Sequence, residues 1–210
     1  MTMKLSTFLS KRNPKAILAM VTAMIFTMID VQAIGQHIAR LTRYEVKPAS
    51  QEDFRKAMSA HVVSSLKNPS NILSEAYHEE ADTSVLWLIE RWSSREALDR
   101  SDKERLYKSI DALAANALKQ PVKKIFVKDL EPLSKQQWRT VAGKEDQPIT
   151  IMLFVDAKPG TEPVFKKIYH TAMPAFRSEP GVINYQLSQL EEDSTQFVTY
   201  EKFRSEKGFQ

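Results

Sequence analysis

The stretch that decides the fold is Ser84–Ser94, with the sequence SVLWLIERWSS. Its apolar residues predict a buried strand, and the Glu-x-Trp step followed by two serines predicts the end of that strand and a helix cap. Both faces of the strand are apolar, so both need cover from other parts of the chain. One face carries Leu86, Leu88 and Trp92, and the other carries Val85, Trp87 and Ile89.

The same pattern occurs a second time at Thr195–Ser205. The offset between the two occurrences equals the separation of Pro48 and Pro159, and it lays Glu201 on Glu90. We call this offset the repeat shift. The identity is low but the register is constant, which predicts two copies of one domain. Without a gap, the repeat shift also superposes Phe203 on Trp92, Phe165 on Phe54, Pro180 on Pro69, Ile183 on Ile72 and Asp193 on Asp82.

The first copy alternates between the hydrophobic periods of strands and helices. Its order is that of a ferredoxin-like β-α-β-β-α-β unit, with helices on one face of an antiparallel sheet. We therefore predict an α+β fold in which this unit occurs twice and the two antiparallel sheets pack face to face. Capping-box patterns at Ser50 and Ser93–Ser94 predict the starts of the two helices, the second of which runs to Pro121. The predicted strands are 37–46, 72–79, 84–92 and 123–130.

The second copy follows a polar linker at 132–148, so the predicted domains are 34–131 and 149–210. Its helix begins after Thr161 and should kink at Pro174. The sequence ends after the second hairpin, without a counterpart of the last helix and strand. We interpret this as a truncated chain; the alternative is that another molecule supplies those elements. The residues of this helix that should face inward are Phe165, Ile168, Tyr169, Ala172, Met173 and Phe176.

The segment 1–33 has the pattern of a signal peptide. Basic residues between Lys4 and Lys15 precede an uncharged apolar run at Ala16–Ile29, and Val31–Ala33 offers small residues for cleavage after Ala33. The apolar run is shorter than the roughly 20 residues that a membrane-spanning helix needs. We predict a periplasmic or secreted protein that begins at Ile34, without stable membrane insertion after cleavage.

Charge and composition exclude several classes of function. Without the segment 1–33 the basic and acidic residues nearly balance, so the chain lacks the surplus of cations that nucleic-acid binding needs. It has no cysteine, which excludes disulfides and thiolate sites. Its histidines lack the spacing of metal ligands, and its glycines form no phosphate-binding loop. We expect no metal, no cofactor and no nucleic-acid partner.

The chain resembles the antibiotic biosynthesis monooxygenase family of the dimeric α+β barrel superfamily. The resemblance rests on Lys47-Pro48 and Lys158-Pro159-Gly160 after the first strands, on Glu179-Pro180-Gly181 before the second, and on Glu90–Leu98. It implies that two sheets pair, either within one chain or in a homo-oligomer. It also implies oxidation of hydroquinones or anthrones by O₂ without a cofactor, or, in another branch, the opening of haem.

The family's functional residues have few counterparts here. At the position of the family's histidine, or of the tryptophan of its haem-degrading branch, this chain has Ser101, and at the position of the haem-ligand histidine it has Asp111. A serine cannot stack on haem and an aspartate cannot act as its imidazole ligand. A haem-binding or haem-degrading relative is therefore disfavoured.

Two residues are candidates for catalysis. Glu90 lies two positions before Trp92, on the same side of the strand, where a buried carboxylate with a raised pKa could act as a base. His61 lies on the apolar stripe of its helix and could accept a proton. The alternatives are that Glu90 and Glu201 brace the sheet through a neighbouring backbone group or arginine, and that His61 is a satisfied core residue.

The candidate substrate pocket consists of aromatic residues and the second glutamate of the repeat. Its predicted members are Trp92, Tyr77, Glu201 and Phe203. For Tyr77, as for Tyr185, Tyr200 and Trp87, packing within the barrel is the favoured alternative. The leading hypothesis is an exported, cofactor-independent monooxygenase that oxidises a small phenolic or quinol-type aromatic with O₂. The alternative is a non-catalytic module of the same fold that binds a small molecule or a protein.

Overall fold

The computed structural model describes residues 37–209, so the predicted signal peptide with its cleavage site at Ala33 lies outside the described residues. Two short 3-10 turns, Pro48–Ser50 and Glu206–Gly208, accompany the helices and strands. The elements are, in order, β1 (Ile38–Glu45), α1 (Gln51–Ser65), β2 (Asn71–His78), β3 (Val85–Trp92), α2 (Arg95–Ser101), α3 (Arg105–Ala117), β4 (Lys123–Leu130), α4 (Lys135–Trp138), β5 (Ile149–Asp156), α5 (Glu162–Ser178), β6 (Val182–Leu190) and β7 (Gln196–Phe203).

The internal repeat is visible in the bounds of these elements. The repeat shift carries β1 onto β5 and β3 onto β7, and in both cases the first and last residues coincide. A bulge interrupts the β2–β3 pairing between Asn71 and Leu73, and the same shift carries it onto the bulge between Val182 and Asn184 in the β6–β7 pairing. The two copies therefore share their backbone irregularities as well as their order. We call residues 38–130 the first repeat and residues 149–203 the second repeat.

The seven strands of the described residues form one antiparallel sheet in the order β2-β3-β1-β4-β6-β7-β5. The repeats join where β4 pairs with β6, from Val127 opposite Leu190 to Leu130 opposite Leu187. The predicted α+β class with a repeated ferredoxin-like unit is confirmed. The sequence predicted two sheets packed face to face. In the structure the sheets of the two repeats are joined by hydrogen bonds between β4 and β6, and they curl as one continuous layer.

The inner face of the curled sheet holds the largest hydrophobic cluster. It combines Trp87 and Ile89 of the first repeat with Val198 and Tyr200 of the second. The linker contributes Trp138, which is 2% exposed, so part of the segment predicted to be a polar connection is core. Both faces of β3 are buried, as the opening stretch of the sequence predicted.

The helices cover the other face of the sheet, which we call the helix side. In the first repeat, α1 and α3 pack against each other over Leu86 and Leu88. The second repeat has only α5 on this side within the described residues. This difference explains why Ile168, predicted to face inward, is 60% exposed, and why Met173 is the one residue of α5 that is fully buried.

Two local predictions are corrected, and the cap predicted at Ser94 is confirmed. The helix expected from Ser94 to Pro121 is two helices, α2 and α3, separated by a turn at residues 102–104. Ser50 makes no capping hydrogen bond, because the preceding 3-10 turn gives it helical φ and ψ angles where a capping serine needs an extended backbone. Ser94 has that extended backbone, and its hydroxyl accepts a hydrogen bond from the Ala97 amide at 3.2 Å.

Among residues 37–209, none of the helices is long and apolar enough to cross a membrane.

Candidate functional site

Glu90 and His61, the two predicted catalytic residues, come together on the helix side of the first repeat. Arg40 stands opposite Glu90 in the β1–β3 register, and α1 places His61 above both. The Glu90 carboxylate accepts a hydrogen bond from Arg40 Nη2 at 2.6 Å, and its other oxygen lies 2.9 Å from His61 Nε2. Arg40 also donates to both carboxylate oxygens of Asp102, at 2.6 and 2.7 Å. We call these four residues the ion-pair network.

The centre of the ion-pair network is buried from solvent, and its charged groups are paired with each other. Arg40, His61 and Glu90 are each at most 1% exposed. Burial by itself raises the pKa of Glu90, but the hydrogen bond from His61 and the charge of Arg40 outweigh it, so the net pKa lies below its usual value. The raised pKa expected from the sequence is therefore wrong, because Arg40 was not recognised as a partner. Glu90 is therefore stabilised as a carboxylate that accepts hydrogen bonds from Arg40 and His61.

Aromatic rings fill the space around this network. The guanidinium of Arg40 lies 4.8 Å from the centre of the Tyr107 ring, and the His61 ring lies 5.3 Å from the same ring, edge to face. Trp92 is fully buried, but it packs in a separate cluster with Ile38, Ala97 and Leu98. On the helix side of the first repeat, the space where a pocket beside Glu90 was predicted is therefore occupied by the protein's own side chains.

The resemblance compared Ser101 and Asp111 with functional residues of its family, and these two residues lie on different helices. Ser101 ends α2 and is buried, whereas Asp111 is exposed on α3. Neither is part of the ion-pair network. Among the described residues, no group of three or more His, Cys, Asp or Glu side chains could hold a metal ion.

Tyr77, predicted to line the pocket, lies on the inner face of the sheet instead of the helix side. Its hydroxyl is 2.5 Å from the Glu75 carboxylate and 2.9 Å from the Tyr200 hydroxyl. Lys202 donates to the same carboxylate at 2.6 Å. These contacts join the two repeats, and they separate Tyr77 from the other predicted pocket residues. Tyr77 is therefore a packing residue of the inner face, which is the alternative that the sequence analysis gave for it.

The other two predicted pocket residues, Glu201 and Phe203, line one cavity on the helix side of the second repeat. The cavity has a volume of about 380 Å³. Its rings stand in two pairs: Phe176 and Tyr185 have centroids 4.8 Å apart, and Phe203 and Phe209 have centroids 5.5 Å apart. Glu179, at the end of α5, adds a second carboxylate to the lining. We call this space the second-repeat cavity.

The repeat explains why Glu201 differs from Glu90. The repeat shift places Ile151 where the first repeat has Arg40, and Ala172 where it has His61. The carboxylate thus loses both of its strong partners, and no ion pair among the described residues replaces them. Tyr185 stands opposite Glu201 on the neighbouring strand, at the position of Ser74.

The hydroxyl of Tyr185 is suited to donate a hydrogen bond. Burial raises the pKa of this tyrosine, and the negative charge of Glu201 raises it further. The hydroxyl therefore stays protonated at neutral pH. The second-repeat cavity pairs this donor with a carboxylate acceptor inside an aromatic wall, which is the arrangement that a phenolic ligand can use.

Sequence reasoning missed several residues of both sites. Arg40 could have been found, because it is a charged residue on a strand face whose other members, Ile38, Thr42 and Tyr44, are suited to burial. Tyr185 was recognised only as a packing residue, although the repeat places it beside Glu201. Phe176 was expected to face the core, and it is instead 37% exposed at the cavity. Phe209 lies beyond the last predicted strand, where no pattern indicated a role.

The comparisons with known proteins agree with this fold. The family model described as antibiotic biosynthesis monooxygenase matches residues 37–112 and 148–210, which together are more than half of the chain. No curated protein shows significant similarity to the chain.

Two solved structures are similar over most of their length. One is a proposed monooxygenase of Fusobacterium nucleatum, with a TM-score of 0.70 and 14% identity, covering 83% of this chain and 79% of that chain. The other is a proposed monooxygenase of Lactobacillus acidophilus, with a TM-score of 0.70 and 12% identity, covering 83% of this chain and 80% of that chain. This likeness is one of fold, and the family match covers both repeats. The chain belongs to the antibiotic biosynthesis monooxygenase family.

Proposed function

We propose that the protein is a monooxygenase that oxidises a small phenolic or quinol-type aromatic with O₂ in the second-repeat cavity. The observation that carries the proposal is the lining of this cavity, where Glu201 and Tyr185 face each other between aromatic rings. Its volume, about 380 Å³, lies within the range of roughly 300–1,000 Å³ typical of small-molecule sites. Membership of the family supports monooxygenase chemistry at a general level.

The proposed reaction begins with a proton transfer. The Glu201 carboxylate accepts the proton of the bound phenol, and Tyr185 donates a hydrogen bond to the oxyanion that forms. The electron-rich anion then passes an electron to O₂, and the two radicals combine to form a carbon–oxygen bond.

The balance of this reaction requires no other reductant. When a ring carbon ortho or para to the phenol hydroxyl becomes a quinone carbonyl, one oxygen atom of O₂ enters the product. The other leaves as water with the hydrogen of that carbon and the phenolic hydrogen. The substrate supplies every electron. The cavity therefore needs only to orient the substrate, to exchange protons and to limit the access of water.

Glu90 and His61 have a different part in this proposal. Their hydrogen bond to each other and the ion pair with Arg40 support a bracing role in the first repeat. Their assignment to catalysis remains a prediction, and the Glu90→Gln variant distinguishes the two roles. A fall in turnover beyond any loss of folded protein would favour catalysis by the first repeat.

A non-catalytic binding module is the second candidate. The packed helix side of the first repeat favours it, because one half of the protein has filled the corresponding place with its own side chains. The deciding experiment is oxygen uptake with a panel of hydroquinones and anthrones, together with calorimetric binding of the same compounds. Binding without oxygen uptake for every compound would replace the monooxygenase proposal by the binding module.

We also propose that the protein is exported. The support is the sequence of the segment 1–33 alone, with its basic start, apolar run and small residues before Ile34.

A further inference from the structure

We propose that the second-repeat cavity recognises a small aromatic molecule that carries a positive charge, such as a phenol with an ammonium group on its side chain. This inference rests on the proposed function in one respect, namely that the cavity is the substrate site. It goes further by assigning the charge of the ligand.

The first argument is the charge of the lining. Glu179 and Glu201 both line the cavity, whereas no lysine, arginine or histidine of the described part of the chain does. Four basic residues lie close to these lining residues in sequence, but none of them lines the cavity. Lys202 donates to Glu75 on the inner face at 2.6 Å, and Lys207 is exposed in the last turn. Arg177 donates to the Tyr185 carbonyl at 2.9 Å and to the Glu131 carbonyl at 2.8 Å. Arg204 donates to Asp146 at 2.9 Å.

The second argument is the aromatic wall. Phe176, Tyr185, Phe203 and Phe209 present four rings to a space of about 380 Å³. The faces of aromatic rings attract cations, and this attraction increases when the cation is removed from water. A cavity with four rings and two carboxylates therefore favours an ammonium group over a neutral group of the same size.

The third argument is the comparison between the repeats. In the first repeat the equivalent carboxylate, Glu90, is neutralised by Arg40 and lies beside His61. In the second repeat the corresponding positions hold Ile151 and Ala172. Replacement of the internal partners by apolar residues leaves a carboxylate whose cationic partner can be a ligand.

This charge also serves the proposed chemistry. Once Glu201 has accepted the phenol proton, the oxyanion lies in the same cavity as the remaining carboxylate, Glu179, whose negative potential disfavours it. A positive group on the same ligand offsets that potential, and Tyr185 stabilises the oxyanion through its hydroxyl. The cavity should therefore discriminate against aromatic acids most strongly, since they add a negative charge to two that are already present.

The test uses three phenols of similar size and different charge: tyramine, para-ethylphenol and para-hydroxyphenylacetate. Binding to the purified protein is measured by isothermal titration calorimetry without oxygen, so that no turnover occurs. We expect tyramine to bind about tenfold more tightly than para-ethylphenol. We expect para-hydroxyphenylacetate to bind most weakly of the three.

Matched variants locate the effect. Glu179→Gln should weaken tyramine binding severalfold and leave para-ethylphenol binding nearly unchanged. Glu201→Gln removes the phenol's acceptor as well as a charge, so it should weaken the binding of both ligands and reduce the preference for tyramine severalfold. Glu192→Gln removes the same charge from the exposed turn between β6 and β7, at the opposite end of these strands, and should change neither. Equal or tighter binding of para-ethylphenol, no effect of the two cavity variants, or no binding of any of the three phenols would overturn the inference.

Oxygen uptake with the same phenols and with neutral hydroquinones separates this inference from the proposed function. Preferred binding of tyramine without oxygen uptake from any compound would sustain the cation site and remove the monooxygenase. Turnover of neutral hydroquinones without any preference for a cationic ligand would sustain the monooxygenase and remove the cation site.

Discussion

The Glu90 carboxylate lies 2.9 Å from the imidazole of His61 in a place where both side chains are fully buried. The second oxygen of the same carboxylate accepts a hydrogen bond from Arg40 at 2.6 Å. A buried carboxylate with two such partners costs a large desolvation energy that the partners offset. The network should therefore matter for the stability of the first repeat.

Removal of Arg40 should destabilise the protein strongly. Arg40→Ala leaves Glu90 and Asp102 without their common cation, and loss of one partner from a buried ion pair costs about 3–5 kcal/mol. Unfolding in urea, followed by circular dichroism, measures the change. The control is Lys56→Ala, which breaks an exposed pair with Glu52 and should cost less than about 1 kcal/mol. Similar losses in the two variants would contradict the assigned role of the network.

The pH dependence of stability follows from the lowered pKa of Glu90. Since the folded-state pKa lies below the usual value of 4.5, the carboxylate form stabilises the fold. This contribution is fully present above that value and is lost as the pH falls through the folded-state pKa. The free energy of unfolding should decrease on acidification, by at most about 1.4 kcal/mol per pH unit for this single proton.

The Glu90→Gln variant isolates this contribution. It should be less stable than the wild type at neutral pH, and its stability should fall less steeply below pH 4.5. Urea unfolding at a series of pH values gives both slopes. Parallel curves for the two proteins would show that Glu90 does not titrate as proposed.

The strands could be predicted from the sequence because they depend on two local patterns, the apolar runs within the strands and the turn residues between them. The apolar runs and the turn residues around Pro69 and Pro180 place their bounds close to those observed, and the repeat supplies a second reading of each. The break between α2 and α3 carries no such signal. Residues Asp102–Glu104 contain neither glycine nor proline, so the pattern was interpreted as one continuous helix.

The sites were harder to predict, since they depend on contacts between distant residues. Arg40 is separated by 50 residues from Glu90 and by 62 from Asp102, and only the strand register brings them together. The sequence alone indicates that Glu90 is buried, which raises the pKa of a carboxyl group, but it does not show the partner Arg40, whose charge lowers that pKa. The second-repeat cavity depends on how few helices cover the second repeat, a tertiary property that has no periodic pattern of its own.

The contacts on the inner face should couple the stabilities of the two repeats. Glu75 of β2 accepts hydrogen bonds from Lys202 and from the hydroxyls of Tyr77 and Tyr200. A double-mutant cycle with Glu75→Gln and Lys202→Met should give a coupling energy of about 0.5–3 kcal/mol. Urea unfolding of the four proteins measures it. Additive effects of the two substitutions would mean that this ion pair does not hold the repeats together.

Export can be tested independently of the fold. Expression of the whole chain in a bacterium, followed by mass spectrometry of the periplasmic fraction, should give a protein that begins at Ile34. Substitution of Ala33 by a bulky residue, Ala33→Trp, should block this cleavage. A protein that retains Met1 in the cytoplasm would contradict the prediction.

The proposed activity makes a sharp distinction between the two glutamates of the repeat. Glu201→Gln removes the proton acceptor from the second-repeat cavity and should lower kcat for oxygen uptake by about a hundredfold or more, since general base catalysis contributes at least that factor. Tyr185→Phe removes the donor to the oxyanion and should also reduce kcat. Glu192→Gln, in the exposed β6–β7 turn, should leave kcat unchanged. Glu90→Gln should act through stability, so its kcat per folded molecule should remain near that of the wild type. If Glu90→Gln abolishes oxygen uptake while Glu201→Gln does not, the reaction takes place in the first repeat, and the ion-pair network is then catalytic machinery instead of a brace.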